Sequence, residues 1–236
     1  MAIVWLIRHG ESEANSGLPT DEQVNIKLTQ KGHQQARQIA SFFSQQPSLI
    51  VTSPFLRTKQ TAQPTIERFP STSHTEWQVQ EFNYLATARR KNTTLAQRIP
   101  MAQEYWQRCD PFYVDGEGAE SFADMVSRVN NLKQQIQNLD EEFVVIFTHG
   151  MFMRAFLWSL LFNSLKASVE SMQQVRALLD LFTIPNGAIL KLYSQLVSGS
   201  ESISDILDSE GKNQEIWLSG IQTSHLLDLT AFKNAD

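Results

Sequence analysis

The 236 residues hold 20 Lys and Arg against 25 Asp and Glu, a formal charge of −5 that excludes a broad basic face for nucleic acid or an acidic membrane. Any cationic site must therefore be local. At 42% hydrophobic residues the chain can bury a sizeable core in one elaborated domain, and its single cysteine, Cys109, excludes an intrachain disulfide and points to a reducing, cytoplasmic setting. No secretory leader is expected, because Arg8 and His9 interrupt the first apolar run. The long apolar stretch 143–162 contains His149, Gly150 and Arg154, so it reads as strand, turn and helix and not as a membrane span.

In chain order, Ala2-Ile3-Val4-Trp5-Leu6-Ile7 predicts a buried strand that Gly10 breaks just after Arg8 and His9. Residues 11–27 are polar and turn-rich. Thr29 then caps a helix whose Ala36, Ile39, Ala40 and Phe43 form one apolar stripe. Leu49-Ile50-Val51 predicts a short strand; Ser53 reads as the cap of the next helix, with Pro54 in its first turn and Arg57 near its amino end. A β-like piece is expected at Trp77–Val79. Residues 82–119 read as an irregular, cap-like insertion. A strong amphipathic helix is predicted over 120–139, a strand over 143–148, and helices over 151–162 and 165–182. A strand over 188–193 follows the turn Pro185-Asn186-Gly187. Residues 198–211 read as a mobile loop, Ile216-Trp217-Leu218 as an edge strand, and the last ten residues as loosely held. Alternating strands and helices predict an α/β fold: three α/β/α layers with a mostly parallel central sheet, residues 1–236 as one domain, and the insertion over the C-terminal edge of the sheet.

A second histidine stands like the first: Phe143-Val144-Val145-Ile146-Phe147 runs into Thr148-His149-Gly150. Strand ends are where open α/β sheets gather ligands, so two strand-end histidines and a strand-end arginine predict a small anion-binding pocket with an imidazole nucleophile. The segment Arg8-His9-Gly10-Glu11-Ser12-Glu13-Ala14-Asn15 resembles the RHGxSxxN signature of the histidine phosphatase (phosphoglycerate mutase-like) superfamily. Further segments resemble family elements in the family's order. Leu28-Thr29-Gln30-Lys31-Gly32-His33-Gln34-Gln35-Ala36 is similar to LTxxGxxQA. Ser53 to Ala62 is similar to SxxxRxxQTA, with Thr58 where the family often has Ala. Glu81-Phe82-Asn83-Tyr84-Leu85 resembles the acid/base glutamate segment, Glu120-Ser121 the ES element, His149-Gly150 the strand-then-HG element, and Asn186-Gly187-Ala188 the late turn.

The resemblance implies a metal-independent phosphomonoester hydrolase of the phosphatase-type branch, acting on a small phosphorylated substrate. His9 is then the nucleophile that becomes phosphohistidine. Arg8, Arg57 and His149 bind the phosphoryl group, Asn15 is a neutral donor from the loop, and Glu81 gives the leaving alkoxide its proton. A mutase-type phosphotransferase is the nearest alternative, and a catalytically poor phospho-ligand binding protein the next. Phosphoglycerate mutases carry a Gly-Trp element before the LT helix, and residues 16–27 lack it, which favours hydrolysis. Rival chemistries lack their signatures: six residues after Cys109 stands Asp115 where a thiolate phosphatase needs Arg, and no Gly-x4-Gly-Lys loop or Gly-x-Ser-x-Gly elbow occurs. The five histidines are scattered, so neither a metal nor another cofactor is expected. The basic run Arg89-Arg90-Lys91 reads either as a holder of a second anionic group of the substrate or as a solvated surface.

Overall fold

The computed structural model describes residues 1–162, 165–196 and 214–226. In chain order its regular elements are β1 (Ala2–Arg8), α1 (Gln30–Phe42), β2 (Leu49–Thr52), α2 (Leu56–Arg68), β3 (Ser73–Glu76), α3 (Thr87–Arg90), α4 (Leu95–Gln107), α5 (Phe122–Gln137), β4 (Phe143–Thr148), α6 (Gly150–Leu161), α7 (Val169–Leu181), β5 (Ile189–Leu196) and β6 (Gln214–Gln222). The expected loop at 198–211 and the last ten residues lie outside the described residues.

Among the described residues six strands form one sheet in the order β3-β2-β4-β1-β5-β6. The first four run parallel, and β5 and β6 close one side antiparallel. The sheet is thus mostly parallel, as expected, with a mixed edge. In β1, Val4 and Leu6 face a core completed by α5, α6 and α7; Ile7, Ile3 and Trp5 face a second core with α1 and α2. Both faces are covered, which is why β1 and β4 read as unbroken apolar runs.

Helix α5 buries Phe122, Met125, Val126, Val129, Leu132 and Ile136, and its Ser121–Asp124 capping box closes the amino end. Each buried side chain contributes about 1.5–3 kcal/mol against about 1 for a cap, so packing holds this helix and the cap sets its start.

Three expectations are corrected. The strand expected at Trp77–Val79 is instead Ser73–Glu76, whose four residues are all exposed. An edge strand held by backbone pairing to β2 needs no apolar alternation. The helix expected to be capped by Ser53 begins at Leu56 with Phe55 in the cap position. The insertion is less irregular than expected: Thr94 and Gln97 form a capping box that starts α4, even with Pro100 inside the helix. Tyr105 and Trp106 of α4 join the core beside Phe82 and Phe122. Among the described residues no helix is long and apolar enough to cross a membrane.

The chain leaving β1 crosses over the α1 and α2 face to reach β2, beyond β4. The chain leaving β4 crosses the opposite face through α6 and α7 to reach β5, beyond β1. The two exits diverge, which opens a crevice at the C-terminal ends of these neighbouring strands.

Candidate active site

Parallel pairing puts Arg8 opposite Thr148, and the His9 amide donates to the Thr148 carbonyl at 3.0 Å. The next residue on each strand is therefore a histidine, and the rings of His9 and His149 stand 5.1 Å apart between centroids. A one-for-one register between two sequence-distant strands builds this pair.

His9 is 3% exposed. Its Nδ1 lies 2.7 Å from the Gly10 carbonyl, which can only accept, so Nδ1 carries the hydrogen. Its Nε2 accepts from Arg57 Nε at 3.2 Å and so keeps its lone pair. Burial, then the positive charges of Arg57 and Arg8, hold the imidazole well below its usual titration range. The result is a neutral ring with one tautomer and a nitrogen lone pair beside a cation.

Arg57 sits one residue inside α2, donates through Nη1 to the Gln23 carbonyl at 2.8 Å and lies 4.9 Å over the Phe55 ring. Burial pushes its guanidinium down to about 10, still charged at neutral pH, with Glu81 opposing and Arg8 adding to the shift. Arg8 donates through Nη1 to the Ile184 carbonyl, while its Nε is buried without a partner among the described residues. Glycine at position 150 makes this possible, since a Cβ there would lie 2.9 Å from Arg8 Nε.

His149, wholly buried, contacts Ser53 Oγ through Nε2 at 2.7 Å. Its Nδ1 has no partner among the described residues, and burial followed by Arg57 keeps the ring neutral. Ser53 Oγ also meets Thr58 Oγ1 at 2.8 Å, and Thr58 Oγ1 lies 2.6 Å from the Phe55 carbonyl, which takes its hydrogen. Ser53 then has one proton to share between Thr58 and His149. When it goes to His149, Nδ1 carries a hydrogen with no acceptor among the described residues.

The Glu81 carboxylate closes the amino end of α6, accepting from Met151 and Phe152 amides at 3.2 and 3.0 Å. Its charge acts on both Arg8 and Arg57. Asn15, expected as a neutral donor, accepts through its Oδ1 from Ser12 Oγ at 2.9 Å and from Asn186 Nδ2 at 3.0 Å, and these bonds orient its carboxamide. Asn186 Nδ2 also reaches the His9 carbonyl at 3.1 Å, so the pair clamps the loop that follows His9. The structure thus brings Arg8, His9, Arg57, Glu81 and His149 together, with Asn15 tied through Asn186 to the loop that follows His9. Buried donors without acceptors, two arginines and a neutral imidazole make a place that an oxyanion completes.

A model of the histidine phosphatase superfamily (branch 1) matches residues 4–187. The chain belongs to that superfamily. No curated protein sequence matches it. Among solved structures it is similar to a mycobacterial protein named hydrolase 1, at 23% identity and a TM-score of 0.65 over 93% of this chain and 98% of the other. Mycobacterial glucosyl-3-phosphoglycerate phosphatase complexed with VO3 aligns at 22% identity and a TM-score of 0.64, again over 93% and 98%. The alpha-ribazole phosphatase of Shigella flexneri aligns at 19% identity and a TM-score of 0.60, over 81% of this chain and 90% of its own. At these identities the likeness is one of fold.

Several residues of this superfamily member's site were not read as such from sequence. Ser53 looked like a helix cap and is the partner of His149. Gln23 receives Arg57, and Thr61 Oγ1 accepts the Gly10 amide at 3.0 Å. Hydroxyl and amide residues have no spacing that betrays such roles; the one available signal was Thr58 standing where Ala is common.

Proposed function

We propose that this protein hydrolyses phosphomonoesters of small molecules through a phosphohistidine on His9. The observation that supports it best is the tautomer of His9, with Nδ1 donating to Gly10 and the Nε2 lone pair beside Arg57. The phosphoryl oxygens take hydrogen bonds from Arg8, Arg57 and His149. Glu81 enters the step in its acid form, with a proton taken from solvent; Nε2 attacks phosphorus, the bond to the leaving oxygen breaks, and Glu81 gives that oxygen its proton. The positive charge developing on the ring is eased by the Gly10 carbonyl. Water then attacks the phosphohistidine, Glu81 takes up the proton, and phosphate leaves. Each turnover consumes one ester and one water and yields one alcohol and one phosphate.

The phosphatases among the structural neighbours, and the missing Gly-Trp element, favour hydrolysis over the mutase reading. Residues 82–119 act as the cap of a single domain, and the reaction needs no metal. The cytoplasmic setting rests on the lone cysteine.

The test is a rapid quench with a labelled phosphomonoester, with a His9→Asn control. Expected is an acid-labile, alkali-stable protein label that turns over to phosphate, and a loss of about 10⁴-fold or more in kcat/KM in the variant. Transfer of the label to an acceptor alcohol would make the protein a mutase. Absence of label and turnover in a folded protein that binds phosphate would make it a binding protein. Activity lost to EDTA and restored by a divalent ion would overturn the metal-free mechanism.

A further inference from the structure

The superfamily match ends at Gly187, and the strand pair that follows brings the chain back to that same residue. β6 runs antiparallel to β5 with Gln222 opposite Ile189, so the residues after Gln222 return beside those before Ile189, the turn 185–188. There Ser224–Leu226 form a single turn of 3-10 helix packed on α1. The His225 ring lies 5.0 Å from the ring of Phe42, the last residue of α1. Leu226 covers Gly187 so closely that a Cβ there would stand 2.8 Å from its Cδ2.

His225 is half-buried, and its Nε2 stands 2.9 Å from the Gly187 carbonyl. A carbonyl can only accept, so Nε2 carries the hydrogen. Nδ1 is buried with no partner among the described residues, which leaves the bond to Gly187 as the hydrogen bond that orients the ring. Among the described residues no other donor reaches the Gly187 carbonyl.

That carbonyl belongs to the turn that grips the backbone of His9. The Gly187 amide donates to the Arg8 and His9 carbonyls at 3.0 and 3.2 Å, and Asn186 Nδ2 to the His9 and Gly10 carbonyls at 3.1 and 3.3 Å. The Gly10 carbonyl is in turn the acceptor that keeps the His9 hydrogen on Nδ1. The Ala188 amide donates to the Pro185 carbonyl at 3.1 Å, and Gly187 has a φ of +79°, as the third residue of a type II turn requires. Glycine reaches this conformation without strain and leaves it as easily, so the chain by itself holds this peptide loosely. A donor on its carbonyl supplies the missing restraint.

We propose that His225 is a positioning residue for the nucleophile: by pinning the Gly187 carbonyl it steadies the turn that holds the Gly10 carbonyl against His9 Nδ1, and so keeps the attacking Nε2 free of a proton. This rests on the reading of His9 as the nucleophile, whereas the tautomer of His9 is observed without any reaction.

Two variants separate the bond from the packing. His225→Phe keeps a ring beside Phe42 and removes the donor; His225→Gln keeps a donor and removes the ring. The His9 nitrogens are followed by NMR in protein labelled with ¹⁵N-histidine and assigned with His9→Asn. Hydrolysis of p-nitrophenyl phosphate and its inhibition by inorganic phosphate are measured beside it. Wild type is expected to show His9 with its hydrogen on Nδ1 alone. In His225→Phe both tautomers are expected, with kcat/KM about 3- to 10-fold lower, the scale of one neutral hydrogen bond, and the inhibition constant of phosphate within about 2-fold. His225→Gln restores the single tautomer and most of kcat/KM. If melts show that the Phe ring is not tolerated, His225→Leu takes its place. If wild type hydrolyses nothing but His9 still changes tautomer in His225→Phe, the positioning role stands and the hydrolase reading fails. An unchanged His9 tautomer in a folded donor-less variant, or equal losses in His225→Phe and His225→Gln, overturns the proposal.

Discussion

Gly150 decides how Arg8 can sit. A methyl group there would come within 2.9 Å of Arg8 Nε and 3.2 Å of its Cζ, so Gly150→Ala must displace the guanidinium. Ala favours a helix over Gly by about 1 kcal/mol, which offsets part of the crowding. The variant is therefore expected to keep its Tm within a few degrees while kcat/KM falls about 10- to 100-fold, and steady-state kinetics beside a thermal melt check this. Thr58 works through Ser53: its hydroxyl competes with His149 for the single Ser53 proton. Thr58→Ala leaves that proton to His149 alone, and is expected to preserve activity while a small cavity lowers stability by about 1 kcal/mol in a denaturant titration. At this scale the charged residues were legible because strand ends and a short motif announce them. Ser53, Gln23 and Asn186 were not, because their partners lie 96, 34 and 177 residues away.

Between elements, the amino end of α1 packs against the loop that follows β1. A Cβ on Gly32 would stand 2.0 Å from the Glu11 carbonyl oxygen, and one on Gly10 would stand 2.6 Å from the Gly32 carbonyl oxygen. These are backbone contacts that no side-chain rotation relieves. Gly32→Ala should destabilise the fold by about 1–3 kcal/mol and misplace His9, seen as a lower urea midpoint together with a fall in kcat/KM. The LT-helix start was legible, and Thr29 caps it as expected, accepting from the Gly32 amide at 3.1 Å. Helix α4 was not legible because Pro100, a helix-breaking residue, stands inside it, six residues past Thr94 of the capping box that starts it. Strand β3 was missed because an edge strand with four exposed residues has no apolar period to detect.

Across the whole molecule, two buried neutral histidines couple stability to pH. In the unfolded chain each takes a proton near 6.5, whereas burial holds His9 and His149 well below that in the fold. Below that pH the unfolded state therefore binds more protons, and stability falls as the solution is acidified. With both residues contributing, the loss approaches about 2.7 kcal/mol per pH unit, and His225, also lowered by burial, acts in the same direction. Denaturant midpoints measured between about pH 7 and pH 5 should show this slope, and the double variant His9→Asn, His149→Asn should flatten it.

The sequence by itself determined the layered α/β fold, the superfamily likeness and the identity of the five charged or imidazole residues, because strand ends, helix caps and short motifs are local and written in neighbouring letters. Only the tertiary structure decided the tautomer of His9, the hydroxyl partner of His149 and the bond from His225 to the Gly187 carbonyl. Each of these depends on which backbone carbonyl, hydroxyl or charge a side chain meets across the fold. Hydrogen bonds and desolvation act over a few ångströms in space, and separation along the chain says nothing about that distance.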